Sequence, residues 1–453
     1  MSRPMEERAA TRLRRFKPYP KYKDSGVEWL GEIPPHWEVK RLKYLFLVVN
    51  GSTPKSEEPN YWDGDIPWVT PDDLGELASR ELANPRRYIS EAGYRSCGTT
   101  MVPVGSLVLS TRAPIGHLAI AGVNLCTNQG CRSLVFRNRS DQHYFYYELL
   151  ASRSELESLG QGSTFKELAK TKLESIPFVE PLLEEQRTIA AFLDRETAKI
   201  DALVAKKERL IELLQGKRTA LITRAVTKGL DPNVPMKDSG VMSLGEIPAH
   251  WSVLHLRRVI QKFVDYRGKT PEKTPSGVRL VTAKNIKHQM IDFSLSEEFI
   301  PEDLYDQWMV RGRPERGDVL VTTEAPLGES AQIDDPNIAL AQRIILLKAN
   351  KAKITNDYLK YHFAGDSGRS ELWSKATGST ALGIKASHLK STLVVVPPLA
   401  EQEDIASYVD AETANIDAMI SKIRAGIDRL KEFRTALISA AVTGRIDVRN
   451  ATV

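Results

Sequence analysis

Apolar residues that recur every seven positions are the clearest pattern in the chain, and they predict two long helices. Near the C-terminus the repeating positions are Val409, Ile416, Ile423, Leu430 and Leu437. The same register earlier in the chain gives Leu193, Ile200, Leu214 and Leu221, with a lysine at the intervening position 207. A sustained interval of seven is typical of a coiled-coil seam. Further seam positions are expected at Leu203, Leu210, Met419 and Phe433.

Both helices are expected to begin just after proline. Pro181 precedes an acidic stretch in the first segment, and Pro397 with Pro398 does so in the second. Proline is tolerated there because the first helical N–H groups have no internal partner, and acidic residues suit the positive end of the helix. Two independent surface helices are the alternative interpretation. The double length of both segments favours an antiparallel pair within one chain, because ordinary helices run 8–20 residues.

The segments between the helices carry a different pattern, which predicts mixed α/β domains. Short apolar or β-branched runs bounded by turn residues occur at positions 66–70, 106–110, 318–322 and 344–347, and these predict strands. Residues 144–150 and 358–363 predict short helices. Residues 43–160 and 257–376 are therefore expected to form two globular domains, each large enough to bury a core.

An internal duplication relates the two halves of the chain. Residues 23–42 and 237–256 are identical at 14 of 20 positions, and residues 162–231 and 378–447 are identical at 31 of 70. The sequences between these blocks diverge. The predicted order is a flexible basic leader (1–22), a first domain (23–178), a helix (179–229), a linker with a second domain (230–394), a second helix (395–447) and a tail (448–453).

Composition and charge narrow the class of protein. Hydrophobic residues make up 42% and charged residues 27% of the 453 residues, as in ordinary globular proteins. Residues 1–23 carry eight bases and two acids, a charge of +6, so the total of +5 leaves −1 for the rest. Charge alone therefore supports nucleic-acid binding only weakly. No membrane span or secretory signal is recognised, and three cysteines indicate no disulfide framework, so a cytoplasmic protein is predicted.

Motifs for catalysis are not found. The sequence lacks complete phosphate-binding and dinucleotide-binding glycine loops, and it has no clustered carboxylates for two-metal hydrolysis. Cys126 and Cys131 have no second ligand pair, so no metal site is predicted. His36 and His250 each precede a tryptophan of the repeat, and these pairs are interpreted as packing anchors.

Taken together, these features resemble the specificity subunit of type I restriction–modification systems. The matching motifs are KDSGVEWLGEIPPHW from Lys23 and its copy from Lys237, Gly-Ser-Thr at Gly162 and Gly378, the helix starts at Pro181 and Pro397, and the helix ends that begin with Arg-Thr-Ala-Leu-Ile at Arg218 and Arg434. The resemblance implies two DNA target-recognition domains separated by an antiparallel helix pair, and no catalysis or cofactor on this chain. It also implies double-stranded DNA, two methyltransferase subunits and restriction/translocase subunits as partners, which carry S-adenosylmethionine, ATP and Mg²⁺.

Two diverged domains at a separation set by the helices suit an asymmetric, two-part DNA target. Bases are distinguished by side chains that make paired hydrogen bonds, Arg or Lys with guanine and Asn or Gln with adenine. Candidates in the first domain are Arg86, Arg87, Tyr88, Tyr94, Arg95, Thr111, Arg112, Asn128 and Gln129. Candidates in the second are Lys284, Asn285, Lys287, His288, Gln289, Arg311, Arg313, Gln342 and Arg343.

Two alternatives stay open at this point. Any single candidate could be a solvated surface residue, and Asn128-Gln129 and Gln342-Arg343 could serve the fold, because they precede strand-like runs in both copies. The whole chain could instead be a non-catalytic, two-lobed coiled-coil scaffold that binds proteins rather than DNA. The near-neutral body favours the scaffold, whereas the diverged domains between preserved helices favour DNA recognition.

Overall fold

Two long helices and two globular domains make up the chain. The computed structural model describes residues 16–451, except 78, 113, 162–165, 243, 267, 269, 379–381 and 450. The long helices are Leu183–Lys228 and Leu399–Val442. The chain divides into unit 1, residues 1–206 with 425–453, and unit 2, residues 207–424. Each unit thus combines one globular domain with part of both long helices.

The domain of unit 1 is built on a five-stranded sheet. Its strand order is Phe46–Asn50, Cys131–Phe136, Leu107–Ser110, Leu118–Ala121 and Glu81–Leu82, antiparallel except for the last pair. A three-stranded sheet has the order Cys126–Thr127, Trp62–Val69 and Arg87–Ile89, and the two-stranded sheets are Glu38–Arg41 with Pro177–Glu180 and Lys23–Asp24 with Glu32–Ile33. The shorter helices are Leu42–Leu45, Pro71–Gly75, Glu91–Ser96, Gln142–Ala151, Arg153–Ser158 and Lys170–Ser175.

The domain of unit 2 follows the same plan. Its four-stranded antiparallel sheet has the order Ile260–Asp265, Ile344–Ala349, Val319–Thr323 and Leu327–Gln332. A three-stranded sheet has the order Phe299–Ile300, Val278–Val281 and Ile338–Leu340, and the two-stranded sheets are Ser252–His255 with Leu393–Val396, Met236–Asp238 with Glu246–Pro248, and Ile286–Lys287 with Met290–Ile291. The shorter helices are Tyr305–Trp308, Asn356–Ala364, Asp366–Ser374 and Ala386–Lys390. The strands and short helices predicted from the sequence are thus present in both domains.

Within each unit the long helices run antiparallel. In unit 1, Asp201 Oδ1 lies 2.9 Å from Arg434 Nε, and Glu185 Oε1 lies 4.0 Å from Arg449 Nε, so residue numbers rise along one segment and fall along the other. In unit 2, Asp417 Oδ1 lies 3.1 Å from Arg218 Nε. In the repeat, Asp417 corresponds to Asp201 and Arg218 corresponds to Arg434. The aspartate therefore lies on the first helix in unit 1 and on the second helix in unit 2.

Most residues of the predicted seam are buried between the helices or against the domains. Leu193, Ile200, Leu214, Val409, Ile416, Leu430 and Leu437 are all less than 9% exposed, and Leu221 and Ile423 are half-buried. Phe433 is also buried, in the core of unit 1.

Three of the additional seam positions were predicted wrongly. Leu203, Leu210 and Met419 are 44%, 43% and 50% exposed. Apart from Phe433, the second row of buried positions lies four residues after the first rather than three, at Thr197, Thr413, Ile420 and Ile427. A heptad alternates steps of three and four, and a strict interval of seven does not tell which step comes first.

The two His-Trp pairs join each domain to both long helices, which confirms their predicted packing role. Trp37 and Trp251 are fully buried. A Cβ built on Gly444 would lie 3.1 Å from the Trp37 ring, and one built on Gly229 would lie 3.1 Å from the Trp251 ring. Both glycines also have positive φ values, 72° and 74°. Glycine therefore suits these helix ends because it allows the close approach of the tryptophan ring and because it adopts a positive φ without strain.

The neighbouring histidines contact the helix starts. His36 Nε2 lies 2.8 Å from Glu185 Oε2, and His250 Nε2 lies 2.7 Å from Glu401 Oε1.

Buried glutamines near the helix starts make a second repeated attachment. Gln186 Oε1 accepts a hydrogen bond from Asp141 N at 2.9 Å, and Gln402 Oε1 accepts one from Thr355 N at 2.8 Å. Each of these N–H groups belongs to the segment that begins a helix of the domain. The duplicated sequence blocks therefore build the same junction twice.

Residues 16–22, which the sequence places in a flexible leader, are instead packed against unit 1. The Phe16 and Phe192 rings are 5.3 Å apart, and the buried Tyr19 donates a hydrogen bond to Glu185 Oε1 at 2.7 Å. Asp447 N donates to Lys17 O at 2.7 Å. Aromatic residues among the bases supply the apolar contacts that hold this segment. Residues 1–15 lie outside the described residues, as does the repeated Gly-Ser-Thr motif except for Gly378.

In the part of the chain that the structure describes, no helix is both long enough and apolar enough to cross a membrane.

The stability of unit 2 is expected to depend on pH through His362. Burial lowers the pKa of this imidazole from 6.5 to about 4, because the charged form loses its hydration. The unfolded chain binds the proton first, so stability is retained above about pH 6.5 and is lost as the pH falls toward 4. By pH 5 this single group should remove about 2 kcal/mol. Urea unfolding at pH 7 and pH 5 should show a pH-dependent loss in the wild type that exceeds that of His362→Gln by this amount.

The control is Phe363→Leu, which changes the buried, non-ionisable neighbour of His362. It should lower the stability at both pH values and retain the wild-type dependence on pH. Equal pH dependence of His362→Gln and the wild type would contradict the prediction.

Candidate nucleic-acid interface

Two tryptophans on one strand of unit 1 support an exposed arginine. The Trp62 and Trp68 rings meet edge to face, with centroids 5.2 Å apart. Their indole N–H groups donate to Lys55 O at 3.2 Å and Ser52 O at 2.9 Å, which fixes both rings. Arg87 lies on the adjacent strand opposite Trp68, with its guanidinium carbon 3.7 Å from the Trp62 ring centroid. Cation–π contact therefore holds this exposed side chain in place.

A short loop connects the tryptophans to Gln129. Ser52, which accepts the Trp68 hydrogen bond, donates its own N–H to Thr127 O at 2.9 Å. The hydroxyl of the next residue, Thr53, donates to Gln129 Oε1. Gln129 is exposed, so its amide N–H₂ stays available for a base edge.

Arg112 and Arg132 share one carboxylate beside Gln129. Glu167 lies 3.2 Å from Arg112 Nε and 3.6 Å from an Arg132 Nη, and Arg132 also donates to Gln129 O at 2.9 Å. Burial lowers the pKa of the Arg132 guanidinium, whose side chain is only 12% exposed. We call the set Thr53, Arg87, Arg112, Gln129 and Arg132 the unit 1 face.

The other candidates of unit 1 are held by the fold or by nearby acids. Thr111 is fully buried and donates to Gly130 O at 3.3 Å, so its prediction as a DNA contact is wrong. Asn128 Oδ1 accepts from Gly130 N at 2.9 Å in a turn, and the Tyr94 hydroxyl accepts from Met101 N at 3.2 Å.

Arg86 is ion-paired with Glu76, and Arg95 Nε lies 2.8 Å from Glu91 Oε1 one helical turn earlier. Tyr88 is half-buried on the strand that carries Arg87.

In unit 2, a cleft of about 200 Å³ brings three of the candidates together. Lys284, Gln342 and Arg343 line it, together with Lys273 and Glu298. Lys273 Nζ lies 2.7 Å from Glu298 Oε2, and Arg343 Nε lies 3.6 Å from Glu324 Oε2. The cleft thus presents amide, ammonium, guanidinium and carboxylate groups, which suit recognition of base edges or phosphate.

Asn285 was predicted wrongly as a DNA contact. Its side chain is fully buried, accepts from Thr282 N at 2.9 Å and donates to Ser296 O at 2.7 Å. In unit 1 the Asp73 carboxylate likewise accepts a hydrogen bond from Thr70 N, at 2.8 Å. Both residues cap a short helical turn, so this position serves the fold in both copies.

The remaining candidates of unit 2 lie elsewhere in the domain. Lys287 and His288 are exposed in a tight hairpin, where His288 and Gln289 have φ values of 53° and 62°. Gln289 accepts a hydrogen bond from Arg218 of the first long helix, which ties this hairpin to the helix. Partial loss of hydration and the neighbouring Lys287 ammonium lower the pKa of the His288 imidazole.

Arg311 donates to Asp265 O at 2.5 Å, and an Arg313 Nη lies 2.5 Å from Asp306 Oδ1.

Sequence reasoning missed the residues that organise both sites. These are Trp62, Trp68, Thr53, Arg132, Lys273 and Glu298. A partial signal for the first two was available, because two tryptophans lie six residues apart at the predicted strand of residues 66–70. The strand is irregular between Trp62 and Ile66, which both pair with Ile89, so alternation of side chains alone would not have placed the two rings together. Among the described residues, no three His, Cys, Asp or Glu side chains lie together as a metal site would require.

Comparison with known proteins relates the chain to DNA specificity domains. A family model described as the type I restriction modification DNA specificity domain matches residues 34–213 and 313–429. The MjaIX specificity subunit of a type I restriction enzyme from Methanocaldococcus jannaschii is 36% identical over 188 residues, which cover 41% of this chain and 43% of that relative. The MjaVIII specificity subunit from the same organism is 23% identical over 431 residues, or 92% of this chain and 95% of the relative.

One solved structure has the same fold. It comes from a study of complex assembly and conformational transition of the type I R-M system. The similarity has a TM-score of 0.65 at 14% sequence identity, and covers 90% of this chain and 98% of that chain.

Proposed function

Because the chain belongs to the family of type I restriction modification DNA specificity domains, we propose that it is the DNA sequence-specificity subunit of a type I restriction–modification complex. The domain of each unit recognises one half of an asymmetric, two-part site in double-stranded DNA. The helix pair sets the separation of the two half-sites. The chain contributes recognition and no catalytic group, and it acts in the cytoplasm.

One observation carries this proposal: the residues that attach each domain to the helices are the same in both units, whereas the exposed chemistry differs. Trp37 and Trp251 occupy equivalent places, as do Gln186 and Gln402. By contrast, unit 1 exposes Arg87 on a tryptophan pair, and unit 2 has a cleft lined by lysines and Glu298. A duplicated frame with two different surfaces suits a target whose halves differ, because identical domains would recognise identical half-sites.

The helix pair also supports docking of two methyltransferase subunits. The ion pairs Asp201–Arg434 and Arg218–Asp417 repeat the same polar arrangement, once in each unit. Exposed charges such as Arg209, paired with Glu212 at 2.5 Å, lie on the outer surface of the first helix. In this proposal the partners carry S-adenosylmethionine, ATP and Mg²⁺, and restriction/translocase subunits complete the complex.

The second candidate function is a scaffold that binds proteins rather than DNA. The charge of −1 over residues 24–453 favours it, because many DNA-binding proteins have a strongly basic body. A gel-shift assay of the chain with its methyltransferase partner and random-sequence duplex DNA separates the two functions. Binding of duplex DNA is expected, and its absence at low salt would favour the scaffold.

Exchange of residues 43–160 for those of another family member tests the proposal. We expect one half of the methylated sequence to change, while the other half and the gap stay the same, because only the domain of unit 1 is replaced. The methylated motif is measured by single-molecule sequencing of genomic DNA in cells that express the complex. The matched control exchanges residues 257–376 and should change the other half alone. An unchanged motif in both exchanges would contradict the proposal.

A further inference from the structure

Arg87 differs from five of the six other predicted arginines of both domains in its partner, and the sixth, Arg311, donates to a backbone carbonyl. Five of them are ion-paired with carboxylates: Arg86 with Glu76, Arg95 with Glu91, Arg112 with Glu167, Arg313 with Asp306 and Arg343 with Glu324. Within the described residues, no carboxylate is within ion-pair distance of Arg87, whose contacts are the Trp62 and Trp68 rings. Its positive charge is therefore not neutralised by the chain itself.

The tryptophan contact leaves the hydrogen-bonding edge of the guanidinium available. A guanidinium carbon 3.7 Å from a ring centroid is at the distance of face-to-face stacking, a contact that uses the flat face of the guanidinium. The N–H groups of a guanidinium point outward in its plane, in a fork that matches two adjacent acceptors. Because the rings are themselves held by hydrogen bonds to Lys55 O and Ser52 O, the arginine loses little freedom on binding. This arrangement is suited to the paired O6 and N7 acceptors of guanine.

The equivalent place in unit 2 holds the opposite charge. In unit 1, Trp68 pairs with Arg87 on one side and with Cys126 on the other. In unit 2, Leu280 pairs with Ala339 on the corresponding side and donates its N–H to Glu298 O at 2.8 Å on the other. Glu298 therefore stands where Arg87 stands, and it pairs with Lys273 in the cleft. The sheet tolerates either charge at this place, so the fold does not require an arginine there.

We propose that Arg87 is a specificity-determining residue of unit 1, and that its guanidinium donates two hydrogen bonds to a guanine of the corresponding half-site. This inference rests on the proposed function and deepens it. The structure assigns the neighbouring Arg86 no such role, since its charge is already paired with Glu76.

The test uses the full chain assembled with its methyltransferase subunits. Duplexes carry the methylated target with each base pair replaced in turn, and methylation rates are compared for the wild type, Arg87→Ala and Arg87→Lys, with Arg86→Ala as the matched control. We expect Arg87→Ala to lower the rate on the intact target roughly 5- to 150-fold and to remove the preference for guanine at one base pair. That base pair should lie in the half-site altered by exchange of residues 43–160. Arg86→Ala should retain the wild-type preference.

Arg87→Lys distinguishes a base contact from a phosphate contact. A lysine keeps the charge but loses the planar fork and the stacked contact with Trp62, so binding to all duplexes should recover, whereas the preference for guanine should recover only in part. Uniform weakening of every duplex by Arg87→Ala, full recovery with lysine, and a salt dependence reduced by about one counterion would overturn the assignment in favour of a phosphate contact. Lower thermal stability with an unchanged preference would overturn it in favour of a packing role. If the wild type itself methylates without sequence preference, the proposed function is wrong. If the wild type shows a preference that Arg87→Ala does not change, only the assignment of Arg87 is wrong.

Discussion

Ile416→Asp is expected to lower the free energy of unfolding by about 3–5 kcal/mol, because it replaces a buried seam side chain with an unpaired charge. Ile416 is 4% exposed and packs in one cluster with Leu214 and Ile420. The substitution removes the apolar contacts of the isoleucine and forces a carboxylate either to lose its hydration or to separate the helices. Urea unfolding followed by circular dichroism measures the loss.

Met419→Asp is the matched control for this substitution. It lies three residues further along the same helix, and its side chain is 50% exposed. The same carboxylate should cost less than about 1 kcal/mol there, because it keeps its contact with water. Equal stability of the two variants would show that the seam is not as described, and a larger loss at Met419 would restore the three-residue step expected from the heptad pattern.

Trp251→Ala is expected to destabilise unit 2 by about 3–5 kcal/mol, because it opens a large cavity where both long helices meet the domain. The ring is fully buried, packs against Gly229 after the first helix and donates a hydrogen bond to Glu401 Oε2 at 2.8 Å near the start of the second. The substitution therefore removes apolar contacts and one partner of a carboxylate. Thermal unfolding measures the effect.

Two further variants serve as a control and as an equivalent test for Trp251→Ala. Trp373→Ala removes a tryptophan of the same unit that is 59% exposed, and it should cost less than about 1 kcal/mol. Trp37→Ala makes the equivalent change in unit 1 and should cost somewhat less than Trp251→Ala, since its ring is equally buried but its indole N–H has no hydrogen-bond partner among the described residues. A small effect of Trp251→Ala would contradict the anchoring role of the repeated His-Trp pair.

Residues that belong to the repeat were predictable, and residues at the candidate sites were predictable only in part. Arg87, Gln129 and Lys284 were identified as polar side chains of loops and strand ends, and the structure leaves all three exposed. Thr111 and Asn285 belong to the same chemical classes but are fully buried. The difference depends on partners distant in sequence, such as Gly130 for Thr111, which no local pattern indicates.

By itself, the sequence determined the duplication, the long helices and the two α/β domains. Identity between copies needs no structure to be recognised, and helix and strand periods are local properties of the chain. Only the tertiary structure decided which arginines remain without an acidic partner, and which step of the heptad completes the seam. Glu167 is 55 residues from Arg112 in the chain, and Trp62 is 25 residues from Arg87, yet each pair is in contact. Such contacts depend on strand pairing and burial, because the availability of a charged side chain is set by whatever the fold places beside it.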